Sequence, residues 1–220
     1  MFKDLSDKAL FFSGYICSLF RNLGRSGFVF QGKHYQYFIH LYTETWRNER
    51  IVEIPIMWKI VNDYKTKKIF EVGNVLSHYF PVSYDILDKY EKAEGVINQD
   101  VVDYKTDKKY DLIVSISTLE HVGFGPQDGN EPGKLLRAID NLKKCLSDNG
   151  RIAVTLPLGH NPELDKFLAE KKLGFTEQYF LKRVSQNNDW IETSWDDVKN
   201  SKYGKPFPCA NAIVVGIIEK

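Results

Sequence analysis

The sequence predicts an α/β protein: a doubly wound, mostly parallel sheet preceded by an N-terminal helix and hairpin extension. Three observations predict it. From Lys68 onward, short β-branched runs alternate with helical patterns, the signature of parallel strands joined by crossovers. In YDLIVSISTLEHV (residues 110–122), Leu112, Ile113, Val114 and Ile116 form an apolar run, as a strand covered on both faces must. That run ends in Ser117, Thr118, Glu120 and His121, at the end of a strand where open α/β sheets bind ligands.

Residues 4–23 read as a helix with an apolar face of Leu5, Leu10, Phe11, Ile16, Leu19, Phe20 and Leu23, stopped at Gly24. GFVFQGKHYQYF (27–38) reads as two strands around a Gln31-Gly32-Lys33 turn, with Phe28, Phe30, Tyr35 and Tyr37 on one face. Its simplest role is a packed face; a homodimer surface is the alternative. Residues 46–64 read as a helix with Ile51, Ile54, Trp58 and Val61 buried, and Pro55 predicts a kink or break. Strands are expected at 68–72, 84–88, 95–98, 111–116 and 151–156. Between the last two, Pro132 starts a helix, Leu135, Leu136, Ile139, Leu142 and Leu146 form its buried stripe, and Asn149-Gly150 closes it. Another helix starts at Asn161-Pro162 and ends near Gly174. Strands follow at 175–184 and 210–218, the second apolar enough for a central place. The 185–209 excursion between them, with Trp190, Trp195 and Pro206-Phe207-Pro208, is long enough to suggest a functional loop. The division expected is a helical and hairpin cap over 1–66 and a Rossmann-like domain over 67–220.

Composition narrows the function classes. A chain of 220 residues that is 43% hydrophobic and 14% aromatic can bury a sizeable core. Its 30 basic and 29 acidic residues give a net charge of +1, so no nucleic-acid partner is expected. Cys17, Cys145 and Cys209 are far apart, with neither disulfide nor metal spacing, and no metal is expected. The apolar patch at 10–12 is interrupted by Ser13 and Gly14 and preceded by Asp4 and Asp7, unlike a signal peptide. No apolar run reaches the roughly 20 residues of a membrane span. A reduced, cytoplasmic protein is expected.

Several residues carry chemistry. Glu71-x-Gly73 ends the first sheet strand, where a glycine lets the backbone turn tightly near a ligand. Asp88 closes the second strand, and a carboxylate there can accept from both ribose hydroxyls. Asp100 follows the third. The order Glu71-x-Gly73, Asp88, Asp100, DLIVSISTLEHV and GRIAVTLPLG resembles class I S-adenosylmethionine (SAM)-dependent methyltransferases from residue 68 to about 160. The resemblance implies a seven-stranded sheet whose last strand inserts antiparallel. It also implies SAM as cofactor, methyl transfer to a small molecule, and cofactor contacts from Glu71, Gly73, Asn74, Asp88, Asp100, Val101 and Ser117. Asp100 would meet the adenine amino group and Val101 the ring. Where the family has further glycines, this chain has Val75 and Ser77, and the segments 73–84 and 88–100 have no room for full helices.

The expected acceptor atom is oxygen, on a sugar or nucleotide-linked sugar. His121 is the first choice of general base and His160 the second, since imidazole titrates near neutrality. His78 is expected on the same rim. Just before the first strand, Arg50 or Arg47 could pair the SAM carboxylate, and Glu49 or Glu53 its amine. The bland alternatives are strand-end turns for Glu71, Gly73 and Asp88, surface ion pairs for the arginines, a structural role for His121, and core packing for Trp190 and Trp195. Two other functions compete: a scaffold of the same fold without chemistry, and a nicotinamide-dependent oxidoreductase, whose G-x-G-x-x-G is broken by Val75.

Overall fold

The computed structural model describes residues 13–20, 24 and 27–220. Residues 13–20 are helical; the rest of the expected N-terminal helix, with Leu5, Leu10, Phe11 and Leu23, lies outside the described residues. The hairpin follows as β1 (Phe28–Phe30) and β2 (Lys33–Tyr35). Gln31 and Gly32 both have positive φ, 51° and 69°, the backbone of the tight turn whose twist matches a hairpin. The aromatic face packs inside the chain: Phe28, Phe30 and Tyr37 are buried with Leu181, Trp190 and Ile213.

Helix α1 (Arg50–Asp63) runs unbroken through Pro55, contrary to the expected kink. The proline removes the N–H that would bond the Ile51 carbonyl, but the Phe38 N–H donates to that carbonyl instead, at 3.0 Å. The helix buries more than the predicted side: Val52, Glu53, Ile56 and Met57 join Ile51, Ile54 and Val61.

The remaining elements are β3 (Ile69–Val72), β4 (Asp85–Leu87), β5 (Val96–Ile97), β6 (Tyr110–Ile116), α2 (Lys134–Cys145), β7 (Leu146–Pro157), α3 (Pro162–Ala169), β8 (Glu177–Arg183), β9 (Trp190–Thr193), α4 (Trp195–Val198) and β10 (Ala212–Glu219). They form one eight-stranded sheet in the order β5-β4-β3-β6-β7-β10-β8-β9. Strands β3 to β7 pair in parallel, while β10 is antiparallel to both β7 and β8. The last strand therefore inserts antiparallel, as expected. The eighth strand is a correction: β9, within the 185–209 excursion, adds antiparallel to β8.

Two helix ends also differ from expectation. Helix α2 stops at Cys145, and the chain enters β7 at once because Leu146 pairs with Tyr110. Asn149-Gly150 lies inside β7, where the register against β6 shifts; a Cβ at Gly150 would meet the Tyr110 carbonyl at 2.8 Å. Helix α3 stops at Ala169 because Lys171 turns the chain at φ 56°.

The sheet is covered on both faces. Phe70, Ile113, Ile152 and Ile218 are register partners across β3, β6, β7 and β10, and pack with Leu135 and Leu142 of α2 and Leu164 and Leu168 of α3. On the opposite face Val114, Ala153 and Ile217 pack with Ile54, Met57 and Val61 of α1. Sandwiching the strands leaves their carboxyl ends as the place for polar chemistry.

Candidate active site

Between β3 and β6 the strand order reverses: β4 and β5 lie on one side, β7 on the other. Crossovers leave that point in opposite directions, so a crevice opens beyond the carboxyl ends of the two strands. A cavity of about 670 Å³ occupies it, lined by Val72 and Gly73 after β3, Leu87 and Asp88 after β4, Asp100 and Val101 after β5, and Ser117, Thr118 and His121 after β6. That volume suits a nucleoside-sized ligand. Six predicted site residues, Gly73, Asp88, Asp100, Val101, Ser117 and His121, thus come together. Glu71, Asn74, Arg50 and His160 stand outside the lining.

Gly73 has φ 87°, and a Cβ on it would sit 2.2 Å from Thr118 Oγ1. Its lack of a side chain lets the two strand ends close against each other. Glu71 holds this loop from beneath: one carboxylate oxygen accepts from the Val75 and Leu76 N–H groups at 3.0 and 2.8 Å, and the other from Tyr84 Oη. Burial pushes its carboxyl above the ordinary range, although these donors oppose the shift. Asn74 binds the loops together, donating its backbone N–H to Asp88 and its side-chain amide to Glu91. Asp88 also accepts from the Tyr90 and Glu91 N–H groups at 2.8 Å. Its turn-capping role and its place in the cavity lining are therefore both realised.

Asp100 belongs to a wall of paired charges. One of its oxygens lies 2.9 Å from both Lys89 Nζ and Lys134 Nζ, and the other accepts from the Val102 N–H. Both lysines also pair with Asp128. Burial alone would raise the two aspartates, but Lys134 and Lys89 override it and hold both below the usual carboxylate range. Asp128 further accepts from the Gly123 N–H and Tyr90 Oη, so the segment after β6 is strapped to the segment after β4. Lys89, Tyr90, Gln99, Phe124, Gln127 and Asp128 line the cavity and were missed from the sequence. The GPQDGN run holding Asp128 looks like an ordinary turn until Lys134 and Lys89 meet it.

The polar end of β6 is held from α1. Ser117, at the unusual φ of 38°, donates its hydroxyl to Glu53 Oε1 at 2.6 Å. Arg50 donates to Glu53 Oε2 and to the Ile116 carbonyl. Partial burial, with His160 and Arg50 nearby, pushes the His121 imidazole below its ordinary value. His121 and His160 meet edge to face at 5.0 Å, as the shared rim requires. His78 does not join them: it stacks on Tyr42 at 4.2 Å and pairs with Glu91. Arg47 pairs with Glu44 on the surface. Trp190 packs beneath the hairpin and Trp195 against Phe180, so the excursion reaches the site through Tyr203, whose ring is 4.8 Å from His160.

No protein-family model and no curated protein matches the sequence. Solved structures do match. A SAM-dependent methyltransferase from Archaeoglobus fulgidus is 15% identical, covering 82% of this chain and 98% of its own, with a TM-score of 0.48. The N-methyltransferase NodS from Bradyrhizobium japonicum, in complex with S-adenosylhomocysteine, is 12% identical over 94% of this chain and 98% of its own, with a TM-score of 0.46. A SAM-dependent methyltransferase from Thermotoga maritima, described as a possible histamine N-methyltransferase, is 17% identical over 77% and 97%, with a TM-score of 0.42. The order of its strands, with β10 inserted antiparallel between β7 and β8, is a Rossmann-like α/β arrangement with the antiparallel insertion that the sequence resemblance implies.

Proposed function

We propose that the protein is a SAM-dependent methyltransferase acting on a small molecule. The observation that carries this is the cavity at the reversal point of the sheet, bordered by Gly73, Asp88, Val101 and Ser117 in the places where the sequence order puts cofactor contacts. The residues fit SAM. Three backbone N–H groups occupy three of the roughly four acceptor sites of the Asp88 carboxylate and aim it, leaving one on Oδ2 for a ribose hydroxyl. Val101 and Leu87 offer apolar surface to a ring. Asp100 is committed to Lys89 and Lys134, so in this reading it braces the wall while Gln99 meets the adenine edge. Arg50 and Glu53, paired with each other, fix Ser117 rather than meeting the amino acid end of SAM themselves.

SAM supplies a methyl group already activated on a sulfonium, so the protein's task is alignment and proton handling. His121, on the cavity rim with its imidazole shifted toward the neutral form, is the first choice of base, with His160 beside it. The sequence suggested an oxygen acceptor, on a sugar or nucleotide-linked sugar. The test is a calorimetric titration with SAM and S-adenosylhomocysteine. Micromolar binding of both is expected, and no heat at millimolar ligand overturns the reading.

A further inference from the structure

Beside the cavity, under the carboxyl end of β6, lies a second polar assembly with a different charge count. Glu49, Glu53 and Glu120 are all buried. Glu53 is matched: it takes Arg50 on one oxygen and the Ser117 hydroxyl on the other. Glu49 accepts from the Ala210 N–H at 3.1 Å. Glu120 is left over. Its Oε1 is 3.5 Å from His121 Nε2, and its Oε2 has no hydrogen-bond partner among the described residues, although the residue is only 1% exposed. A carboxylate oxygen buried without a donor is costly. The neighbouring cation Arg50 is already spent on Glu53 and the Ile116 carbonyl.

His121, the neighbour of this unpartnered group, belongs to a cluster of rings. His160 contacts His121, Phe124 and Tyr203 at centroid distances of 5.0, 5.8 and 4.8 Å. Tyr203 feels the charges of Glu49, Glu120 and Glu53, which with burial push its hydroxyl up. Rings close to a surplus buried carboxylate are surroundings a cation prefers, through ring faces and ion pairing together. A hydroxyl acceptor would supply a hydrogen bond but no charge.

We propose that the acceptor is a cationic amine, its ammonium on Glu120 and its carbon skeleton among the rings of His121, Phe124, His160 and Tyr203. The proposal rests on the methyltransferase reading and names its substrate class. Burial, with the charges of Glu53 and Glu49, pushes the Glu120 carboxyl well above its ordinary value against the pull of its own backbone N–H and of Arg50, and an arriving cation favours release of its proton to solvent. The same environment makes Glu120 a stronger base than an exposed carboxylate. The ammonium then returns one proton to Glu120 Oε2, and the freed nitrogen lone pair forms the N–C bond to the methyl carbon. The C–S pair leaves with sulfur, giving a neutral thioether and a methylated ammonium; the total charge is unchanged.

The test compares matched probes, phenethylamine with 2-phenylethanol and butylamine with butan-1-ol, by calorimetry with and without S-adenosylhomocysteine. At least one amine is expected to bind about tenfold or more tighter than its alcohol. Its apparent heat should change with the buffer's ionisation enthalpy, reporting the released proton. Glu120→Gln should lose about tenfold or more of amine affinity while binding S-adenosylhomocysteine as the wild type does. Tyr203→Leu, a second variant, should lose several-fold. Should both amines bind no better than their alcohols, or should Glu120→Gln keep the preference, the proposal is overturned. Amine binding that depends on Glu120, in a protein that ignores S-adenosylhomocysteine, would leave the cation site standing and sink the methyltransferase reading instead.

Discussion

Two charged assemblies flank the same strand end, and they solve the problem of burial in opposite ways. In the wall made by Lys89, Asp100, Asp128 and Lys134, two cations face two anions, and every charge is within reach of an opposite one. Among Glu49, Arg50, Glu53 and Glu120, three carboxylates surround one guanidinium, with Arg183 adding its charge near Glu49, and one Glu120 oxygen has no hydrogen-bond partner among the described residues. The first arrangement is complete without a ligand and suits a structural wall. The second is incomplete, which suits a group that must receive something. Balance of charge distinguishes bracing from binding here, and burial runs with it: the Lys89 side chain of the wall is 36% exposed, whereas Glu53 and Glu120 are almost fully buried.

The strongest test of the wall is steric. Gly73→Ala meets both a left-handed φ and the Thr118 side chain, so a loss of about 3 kcal/mol is expected, roughly 6–12 °C in melting temperature. Adding Thr118→Ala should restore part of this, because it removes the clash and leaves the φ strain. No recovery in the double variant would mean that Thr118 is not what confines the position. Next in size is Lys134→Met. It strands Asp100 and Asp128 with Lys89 alone, and about 2 kcal/mol should be lost, less than for a fully buried pair because Asp100 is partly exposed.

The same variant has a pH signature. Asp100 and Asp128 have folded values depressed below their ordinary 3.8. They therefore contribute stability above the unfolded value, and that contribution is lost as pH falls below it. Acid unfolding of the wild type should steepen below about pH 4, and Lys134→Met should flatten that limb. Equal slopes would show that the lysine does not hold the aspartates. A ligand effect of similar size belongs to Asp88→Ala, which should weaken S-adenosylhomocysteine binding by roughly 1–3 kcal/mol. Unchanged affinity in a folded variant would reduce Asp88 to a turn cap.

How far each assembly was legible in the sequence follows from the range of its contacts. Asp88, Asp100 and Ser117 could be placed because each ends a strand whose apolar run is visible locally. Leu112 to Ile116 and the run ending β10 identified themselves in the same way. Pro55 misled because its effect depends on Phe38, whose N–H satisfies the Ile51 carbonyl from a distant loop. Strand β9 escaped because four residues with Trp190 alone buried give no alternation to read. Glu120 stood next to His121 in the motif, yet nothing local shows that Glu49 and Glu53 converge near it or that Arg50 is already engaged. Charge balance is a sum over neighbours, and the neighbours are set by tertiary structure.

The smallest expected effect is the sharpest on the comparison. If Glu120 is surplus charge kept for a ligand, the empty protein should improve without it. Glu120→Gln is nearly isosteric and removes an ionisable group whose folded value lies well above the ordinary 4.5. Such a group contributes stability that is full below its unfolded value and lost as pH rises through the folded one. As pH rises that contribution falls away, and at the alkaline end the variant should gain about 1 kcal/mol, a melting temperature higher by roughly 2–4 °C. Toward acid pH the gain should shrink toward zero. The pH slope is thus opposite in sign to that of the aspartate wall, and thermal melts of Lys134→Met and Glu120→Gln across pH 3–8 separate the two. A Glu120→Gln protein less stable than wild type at pH 8 would mean that Glu120 is satisfied as it stands, and the contrast between a balanced and an unbalanced assembly would collapse.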